Sequence, residues 1–201
     1  MTKAGYIIFL NGPSSVGKTS IARVLQRCLS EPYLHMALDT FLAMFPPSFV
    51  ETSGGEGASS SDRDAAIAIY KTPVAKRLIS GYHHAIAACA LVGNHLIIDH
   101  VLLERQWLRE CVVLLAPFSV FFVGIHCPLP TLEAREQERG DRAPGLARVQ
   151  VERVHAHRLY DLEIDTSLAS AQACATRIVE ALRHPPMQSA FQQLSLILRD
   201  E

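Results

Sequence analysis

Short runs of consecutive apolar residues alternate along this 201-residue chain with longer segments whose apolar residues recur every third or fourth position. The runs cover residues 6–10, 33–38, 95–99 and 119–127, and such runs are typical of parallel strands that are buried on both faces. Residues 161–166 alternate polar and apolar side chains, as an edge strand does. The pattern therefore predicts an α/β fold in which five parallel strands are flanked by helices.

The periodic segments predict helices between these strands. The first follows residue 17 and stops at residues 31–32, and others cover about 40–45, 72–91, 104–114, 146–158 and 169–182. An additional C-terminal helix at 186–199 carries Met187, Phe191, Leu194 and Leu198 on one face. That face either packs on the body or forms a dimer contact. The length predicts a single domain over residues 1–201.

A glycine-rich loop joins the first strand to the first helix, in the order that a P-loop requires. Its main-chain N–H groups and the first turn of the helix would bind phosphates, Lys18 would reach the β- and γ-phosphates, and the Thr19 hydroxyl would bind Mg²⁺. An ordinary glycine–serine turn is the alternative. The predicted nucleotide-binding residues of this loop are Gly12, Pro13, Ser14, Ser15, Val16, Gly17, Lys18, Thr19 and Ser20.

Carboxylates follow two of the predicted strands. Because ligands bind beyond the carboxyl ends of parallel strands, Asp39 and Asp99 should open onto the same crevice as the loop. Asp39 is the candidate catalytic residue and contact for a phosphate acceptor, and Asp99 is a candidate Mg²⁺ and substrate ligand. Each could instead be a helix N-cap. Phe41 and Phe45 are candidate acceptor contacts, or simply core residues.

Two segments are predicted to border this crevice. Residues 48–72 are rich in glycine, serine and acidic residues in their first part and form a long loop, either a functional flap or a disordered segment. Residues 135–147 form a small lid with Arg135, Arg139 and Arg142 on one helical face. Arg135 and Arg139 would bind nucleotide, and Arg139 with Arg142 would stabilise charge during phosphoryl transfer. A solvated face paired with neighbouring acidic residues is the alternative.

Composition narrows the functional classes. A net charge of −1 gives no electrostatic basis for binding nucleic acid or an anionic membrane, and no apolar run is long enough to span a bilayer. The five scattered cysteines predict reduced core thiols, and the chain has no room for a signal peptide before its first strand, so a cytoplasmic protein is expected. The spacing of the nine histidines does not predict a metal site.

The order of strand, P-loop, helix and further alternating strands resembles small P-loop kinases, such as shikimate, adenylylsulfate and nucleoside monophosphate kinases. The chain more closely resembles the chloramphenicol phosphotransferase family, with a likeness that runs to about residue 182 apart from a gap at 48–72. The stretches that carry it are residues 11–19, 38–40, 97–99, 123–127, 135–142 and 160–166.

The resemblance implies a three-layer P-loop kinase fold and transfer of the γ-phosphate of ATP, with Mg²⁺, to a hydroxyl of a small molecule. In that family a strand-two aspartate is the general base, a position matched here by Asp39, and lid arginines match Arg139 and Arg142. His100 stands where a second acidic residue is expected, the 48–72 segment has no counterpart, and the last helix is extra. The first two differences flank the predicted acceptor pocket, so the acceptor is either chloramphenicol or a related antibiotic or a different small molecule.

Three other functions stay open. The same frame serves kinases for nucleotides, sugars or other metabolites, and toxin-like kinases that act on cell-wall sugar nucleotides. A nucleotide-dependent switch or binding module that phosphorylates nothing is an alternative from a different class.

Overall fold

The computed structural model of the protein describes residues 3–46, 70, 72–139 and 145–198. The five strands are β1 (Ile7–Asn11), β2 (Tyr33–Ala37), β3 (His95–His100), β4 (Val120–His126) and β5 (Leu162–Asp165). They form one parallel sheet in the order β2-β3-β1-β4-β5, with β1 between β3 and β4. The predicted five-stranded parallel sheet is confirmed.

The helices in the described ranges are α1 (Lys18–Cys28), α2 (Leu38–Leu42), α3 (Pro73–Leu91), α4 (Arg105–Leu115), α5 (Leu129–Arg139), α6 (Leu146–Val151), α7 (Ala171–Leu182) and α8 (Ala190–Ile197). Helices α3, α4 and α8 pack on the face of the sheet that bears Phe9, while α1 and α7 pack on the face that bears Leu10. The predicted three layers are therefore present. No helix among the described residues is both long enough and apolar enough to cross a bilayer.

Several boundaries differ from those predicted, and β2 is less buried than expected. Strand β2 lies at an edge of the sheet, so three of its five residues are only partly buried and Leu34 is exposed. Helix α1 ends at Cys28, three residues before the predicted stop at residue 31, and α6 ends at Val151 because a series of turns replaces its predicted second half. Cys28 is exposed, so the prediction that every cysteine lies in the core is wrong at this position.

The last helix packs on the body of the protein. Phe191 contacts the rings of Phe9 and Phe122, and Leu194 and Leu198 are buried in the same cluster. Met187, which was predicted to share this apolar face, precedes the helix and is fully exposed. Of the two alternatives, packing on the body is therefore the one that holds for the apolar face of α8.

Candidate active site

The glycine-rich loop follows the central strand β1, and close contact with the neighbouring strand β4 restricts its sequence. A Cβ atom at residue 12 would lie 2.5 Å from the carbonyl oxygen of Ile125 in β4, so only glycine allows this close approach. Gly17 has φ +98° immediately before α1, and Ser15 also lies in the left-handed region with φ 62°. A side chain at residue 17 would have space around it, so the conformation and not packing selects glycine there.

Lys18 is buried at the start of α1 and points back over the loop. Its Nζ donates to the carbonyl oxygens of Gly12 and Pro13, both at 2.9 Å, and lies 3.6 Å from Asp99 Oδ1. A buried ammonium group is stable only where such acceptors replace water. The lysine is therefore held at the mouth of the loop, next to the position predicted for the phosphates.

Thr19 and Asp99 form one unit in the cleft. The Thr19 hydroxyl donates to Asp99 Oδ2 at 2.7 Å. Burial alone would raise the pKa of Asp99, but the Lys18 ammonium, the nearby His35 and the Thr19 hydroxyl together lower this pKa to about 2. Asp99 is thus ionised at neutral pH, and a carboxylate beside a hydroxyl is the oxygen ligand set that Mg²⁺ prefers.

Neither aspartate is a helix N-cap, so that alternative is wrong for both. Asp39 lies inside α2, whose N-cap is Ala37, because α2 begins at Leu38. Asp99 lies in β3, and the following helix α4 is capped by Glu104. Ala37 pairs with Asp99 in the sheet register, so the chain places Asp39 two residues beyond the neighbour of Asp99.

One cavity of about 560 Å³ brings most of the predicted site together. Asp39 is exposed at this cavity, whereas Asp99 is buried at its base. Leu38, Tyr70 and Val101 also line the cavity. The predicted residues that line the cavity are Ser14, Ser15, Val16, Gly17, Lys18, Thr19, Ser20, Asp39, Asp99, Arg135 and Arg139.

Other predicted residues lie elsewhere. Gly12 and Pro13 are not among the residues that line the cavity, and their carbonyl oxygens accept hydrogen bonds from Lys18. Phe41 packs on Tyr82 with a ring separation of 4.7 Å and belongs to the edge of the core, and Phe45 is also absent from the described lining. Arg142, residues 140–144 of the lid and all of the 48–72 segment except Tyr70 and Thr72 fall outside the described residues.

The arginine helix is held by contacts that differ from simple surface pairing. Arg135 donates to Thr166 Oγ1 at 3.0 Å and to the Thr166 carbonyl at 2.9 Å, and Arg139 also lines the cavity. Glu136 is buried and accepts from the backbone N–H groups of Gly145 at 2.8 Å and Ala147 at 3.0 Å. Glu136 therefore binds the beginning of α6 and is not a surface partner of the arginines.

Sequence reasoning missed three polar residues that support the loop. Asn11 is fully buried, donates to the carbonyl of Val154 at 2.9 Å and the Tyr160 hydroxyl at 2.7 Å, and accepts from Leu102 N at 2.9 Å. Gly124, beside Asn11 in the register, faces the ring of Tyr160, which a Cβ atom would approach to 2.7 Å. The position of Asn11 at the carboxyl end of a buried strand was the one local signal for this role.

The other two missed residues contact the loop itself. Gln150 Oε1 accepts from the Ser14 backbone N–H at 2.6 Å, and the Thr166 hydroxyl donates to the Val16 carbonyl at 2.9 Å. Both come from segments more than 130 positions away in sequence, so no local pattern could have found them. The hydroxyl oxygens of Ser14 and Ser15 are buried and have no hydrogen-bond partner among the described residues. Polar atoms left in this state fit a loop built to receive an anion.

Comparisons with known proteins agree with this geometry. A protein found in two strains of Mycobacterium tuberculosis, named "Putative O-phosphotransferase", is 30% identical over 197 residues, which cover 94% of this chain and 88% of that relative. Two solved structures share the fold at 17% identity. The APS kinase of Mycobacterium tuberculosis in complex with AMPPNP and APS has a TM-score of 0.61, with 90% of this chain and 98% of that chain covered. A sugar kinase from Janibacter sp. HTCC2649, solved unliganded, has a TM-score of 0.62, with 89% and 95% covered.

The fold is thus that of P-loop kinases, as predicted. A family model described as chloramphenicol phosphotransferase-like protein matches residues 5–183, which is most of the chain and includes every described residue of the cavity. The resemblance seen in the sequence motifs is confirmed. This chain belongs to the chloramphenicol phosphotransferase-like family.

Proposed function

We propose that this protein is an ATP-dependent O-phosphotransferase that transfers the γ-phosphate of ATP to a hydroxyl group of a small molecule. The observation that carries the proposal is the shared cavity, which is lined by Lys18 and Thr19 of the loop, by Asp99 that contacts both of them, and by the exposed Asp39. A carboxylate in the same cavity as a phosphate-binding loop is the arrangement that an alcohol acceptor requires.

The residues divide the chemistry between them. Asp39 takes or orients the proton of the acceptor hydroxyl, the hydroxyl oxygen forms a bond to the γ-phosphorus, and the bond to the β–γ bridging oxygen breaks to release ADP. Lys18 with Arg135 and Arg139 stabilises the negative charge on the triphosphate and on the transferring group. Thr19 and Asp99 would hold Mg²⁺, which supplies neutralisation of phosphate charge when it is bound.

The acceptor is the part of the proposal that needs direct measurement. Chloramphenicol, a related antibiotic, a sugar, a nucleoside and a cell-wall sugar nucleotide are incubated with ATP, Mg²⁺ and the protein, and phosphorylated product is followed by mass spectrometry. The proposal requires product from at least one alcohol. ATP binding without product from a broad acceptor panel would favour the alternative of a nucleotide-binding module.

Asp39→Asn tests the assignment of the base. The substitution should lower turnover by about 10²–10⁴-fold, since general-base catalysis contributes this much, while ATP affinity measured by calorimetry stays near that of the wild type. Glu31→Gln is the matched control because Glu31 is exposed and lies outside the cavity lining. An Asp39→Asn protein with a nearly normal rate would show that Asp39 is not the base.

A further inference from the structure

Two buried histidines meet beneath the wall of the cavity that carries Asp99. His83 is on α3 and His100 is at the end of β3, each is at most 1% exposed, and their Nε2 atoms are 2.8 Å apart. Cys111 on α4 completes a buried group in which one potential ligand atom from each residue lies within 4.8 Å of the others. His100 is therefore buried below the cavity and does not line it, contrary to its predicted place beside the acceptor.

The hydrogen bonds around these rings run in one direction. The Val101 backbone N–H donates to His100 Nδ1 at 2.7 Å, so this nitrogen carries no proton and the proton of neutral His100 is on Nε2. His100 Nε2 then donates to His83 Nε2, which leaves the proton of neutral His83 on Nδ1. His83 Nδ1 donates to Glu110 Oε2 at 2.7 Å, where the chain ends at a partly exposed carboxylate.

The surroundings favour the neutral form of both rings. Burial lowers the pKa of His100 well below its usual value and also lowers the pKa of His83, although Glu110 opposes this second shift. Ser80 donates to the other oxygen of Glu110, and the hydrogen bonds from Ser80 and His83 lower the pKa of this carboxyl despite its partial burial. Each nitrogen and oxygen in the chain thus has a partner of the correct polarity.

The same directions argue against a metal ion bound to these histidines. A metal on His100 Nε2 would leave the proton on Nδ1, where it would face the Val101 N–H, another donor. The Nε2 atoms are also closer together than two nitrogens that each lie about 2.0–2.1 Å from a tetrahedral zinc. The geometry therefore favours a hydrogen-bond chain over a metal site.

The hydrogen-bond chain of His100, His83 and Glu110 lies next to a second contact, which reaches the backbone that carries the two aspartates. The hydroxyl of Tyr82, the residue before His83, donates to the Met36 carbonyl at 2.9 Å and lies 3.4 Å from the Asp99 carbonyl oxygen. Met36 is in β2, just before the helix that bears Asp39. One turn of α3 therefore holds the carboxyl ends of β2 and β3, and His100 in turn holds Val101, which lines the cavity.

We propose that His83 and His100, anchored by Glu110, are positioning residues that hold the end of β3, with Asp99 and Val101, in its place in the cavity wall. The proposal rests on the proposed phosphotransferase function. Neither histidine touches substrate. Their effect reaches the reaction through the backbone at residues 99–101 and through the neighbouring contact of Tyr82 with β2.

The first test is spectroscopic and needs no acceptor. Nitrogen-15 spectra of the histidine rings in the intact protein should show His83 protonated on Nδ1 and His100 protonated on Nε2, with both rings neutral at pH 7. The opposite pair of tautomers, a charged ring, or stoichiometric zinc found by elemental analysis and lost in Cys111→Ser would overturn the hydrogen-bond chain.

The second test compares two substitutions of the partly exposed Glu110. Glu110→Gln keeps an oxygen that accepts from His83, so its kcat should remain within about twofold of the wild type. Glu110→Ala removes the acceptor and should lower kcat about tenfold or more, with KM for ATP changed by less than about threefold. His184→Gln is the control, since His184 is an exposed histidine beyond the end of α7.

The outcomes separate this proposal from the one on which it rests. If the wild type forms no product with any acceptor of the panel, the proposed function is contradicted. The tautomers found by nitrogen-15 spectroscopy then test the hydrogen-bond chain without an activity measurement. Product from the wild type together with equal kcat values for Glu110→Ala and Glu110→Gln contradicts only the positioning role. An equal loss of kcat and of unfolding temperature in both Glu110 variants would also contradict the positioning role. In that case the acceptor oxygen kept by Glu110→Gln would not have preserved activity.

Discussion

The phosphate side and the acceptor side of the cavity are built in different ways. The phosphate side is built mainly on one continuous segment, Ser14 to Ser20, whose buried lysine is held by loop carbonyls and by Asp99 of the sheet. The acceptor side collects single side chains from separate elements, and its principal carboxylate, Asp39, is exposed. A main-chain site accepts any group with the right charge and shape, whereas a wall of single side chains determines which acceptor binds.

Two pairs of histidines differ as well. Next to Asp99, His83 and His100 have matched donors and acceptors. His155 and His157 pack against Tyr160, whose hydroxyl binds Asn11 just before the loop, and each has a buried Nε2 with no partner among the described residues. Burial lowers the pKa of His155 to about 3, with the nearby His126 and His157 adding to the shift, and lowers the pKa of His157 to about 4. The packing around His155 and His157 should therefore be the more sensitive to acid.

After the loss expected for Asp39→Asn, the largest effect is expected on the phosphate side. Lys18→Met keeps the aliphatic stem but removes the ammonium that stabilises phosphate charge, so turnover should fall about 10²–10³-fold. Steady-state kinetics with the acceptor found in the panel would measure it, with Lys3→Met as the control because Lys3 is exposed and lies outside the cavity lining. A Lys18→Met protein with the turnover of the wild type would show that Lys18 does not stabilise the phosphate charge, and the loop could then not be called the phosphate side.

An intermediate effect is expected on stability in acid. The pKa of His157 is lower in the folded than in the unfolded protein, so between about pH 6.5 and pH 4 the unfolded state binds more protons and stability falls as the pH falls. The ring of His157 stacks on Phe122 at 5.2 Å. His157→Phe keeps this packing and should recover about 2 kcal/mol of unfolding free energy at pH 5 relative to pH 8.

Urea unfolding of both proteins at the two pH values would measure this difference. His184→Phe provides the comparison, since His184 is an exposed histidine beyond the end of α7. If His157→Phe and the wild type lose the same stability between pH 8 and pH 5, the buried ring nitrogen is not the source of acid sensitivity.

The smallest expected effect concerns the contact between the loop and the edge strand. Thr166→Val removes the hydroxyl that donates to the Val16 carbonyl and accepts from Arg135, so the KM for ATP should rise about fivefold, equivalent to one ordinary hydrogen bond. Thr166→Ser retains the hydroxyl and should behave as the wild type. An unchanged KM in the valine variant would mean that the loop keeps its shape without this edge contact.

A feature could be predicted from the sequence where its signal lies within one short segment. The sheet, the loop and the pair of strand-end carboxylates follow from apolar runs and from one motif, because each of these signals lies within a short segment. The roles of Gln150, Thr166 and the His83–His100 pair depend on contacts between residues far apart in sequence. Helix ends were predicted least well: α2 begins at Leu38, so Asp39 lies within the helix and not at its cap.

Gly124, the neighbour of Asn11 in the sheet register, has no space for a larger side chain. It lies in the middle of a buried strand, where β-branched residues usually pack well, yet even a methyl group there would strike the ring whose hydroxyl binds Asn11. Randomising this codon and selecting for folded protein should return glycine alone. Related chains that carry a larger residue at this place must have changed the aromatic ring at position 160 as well, so the two positions should vary together.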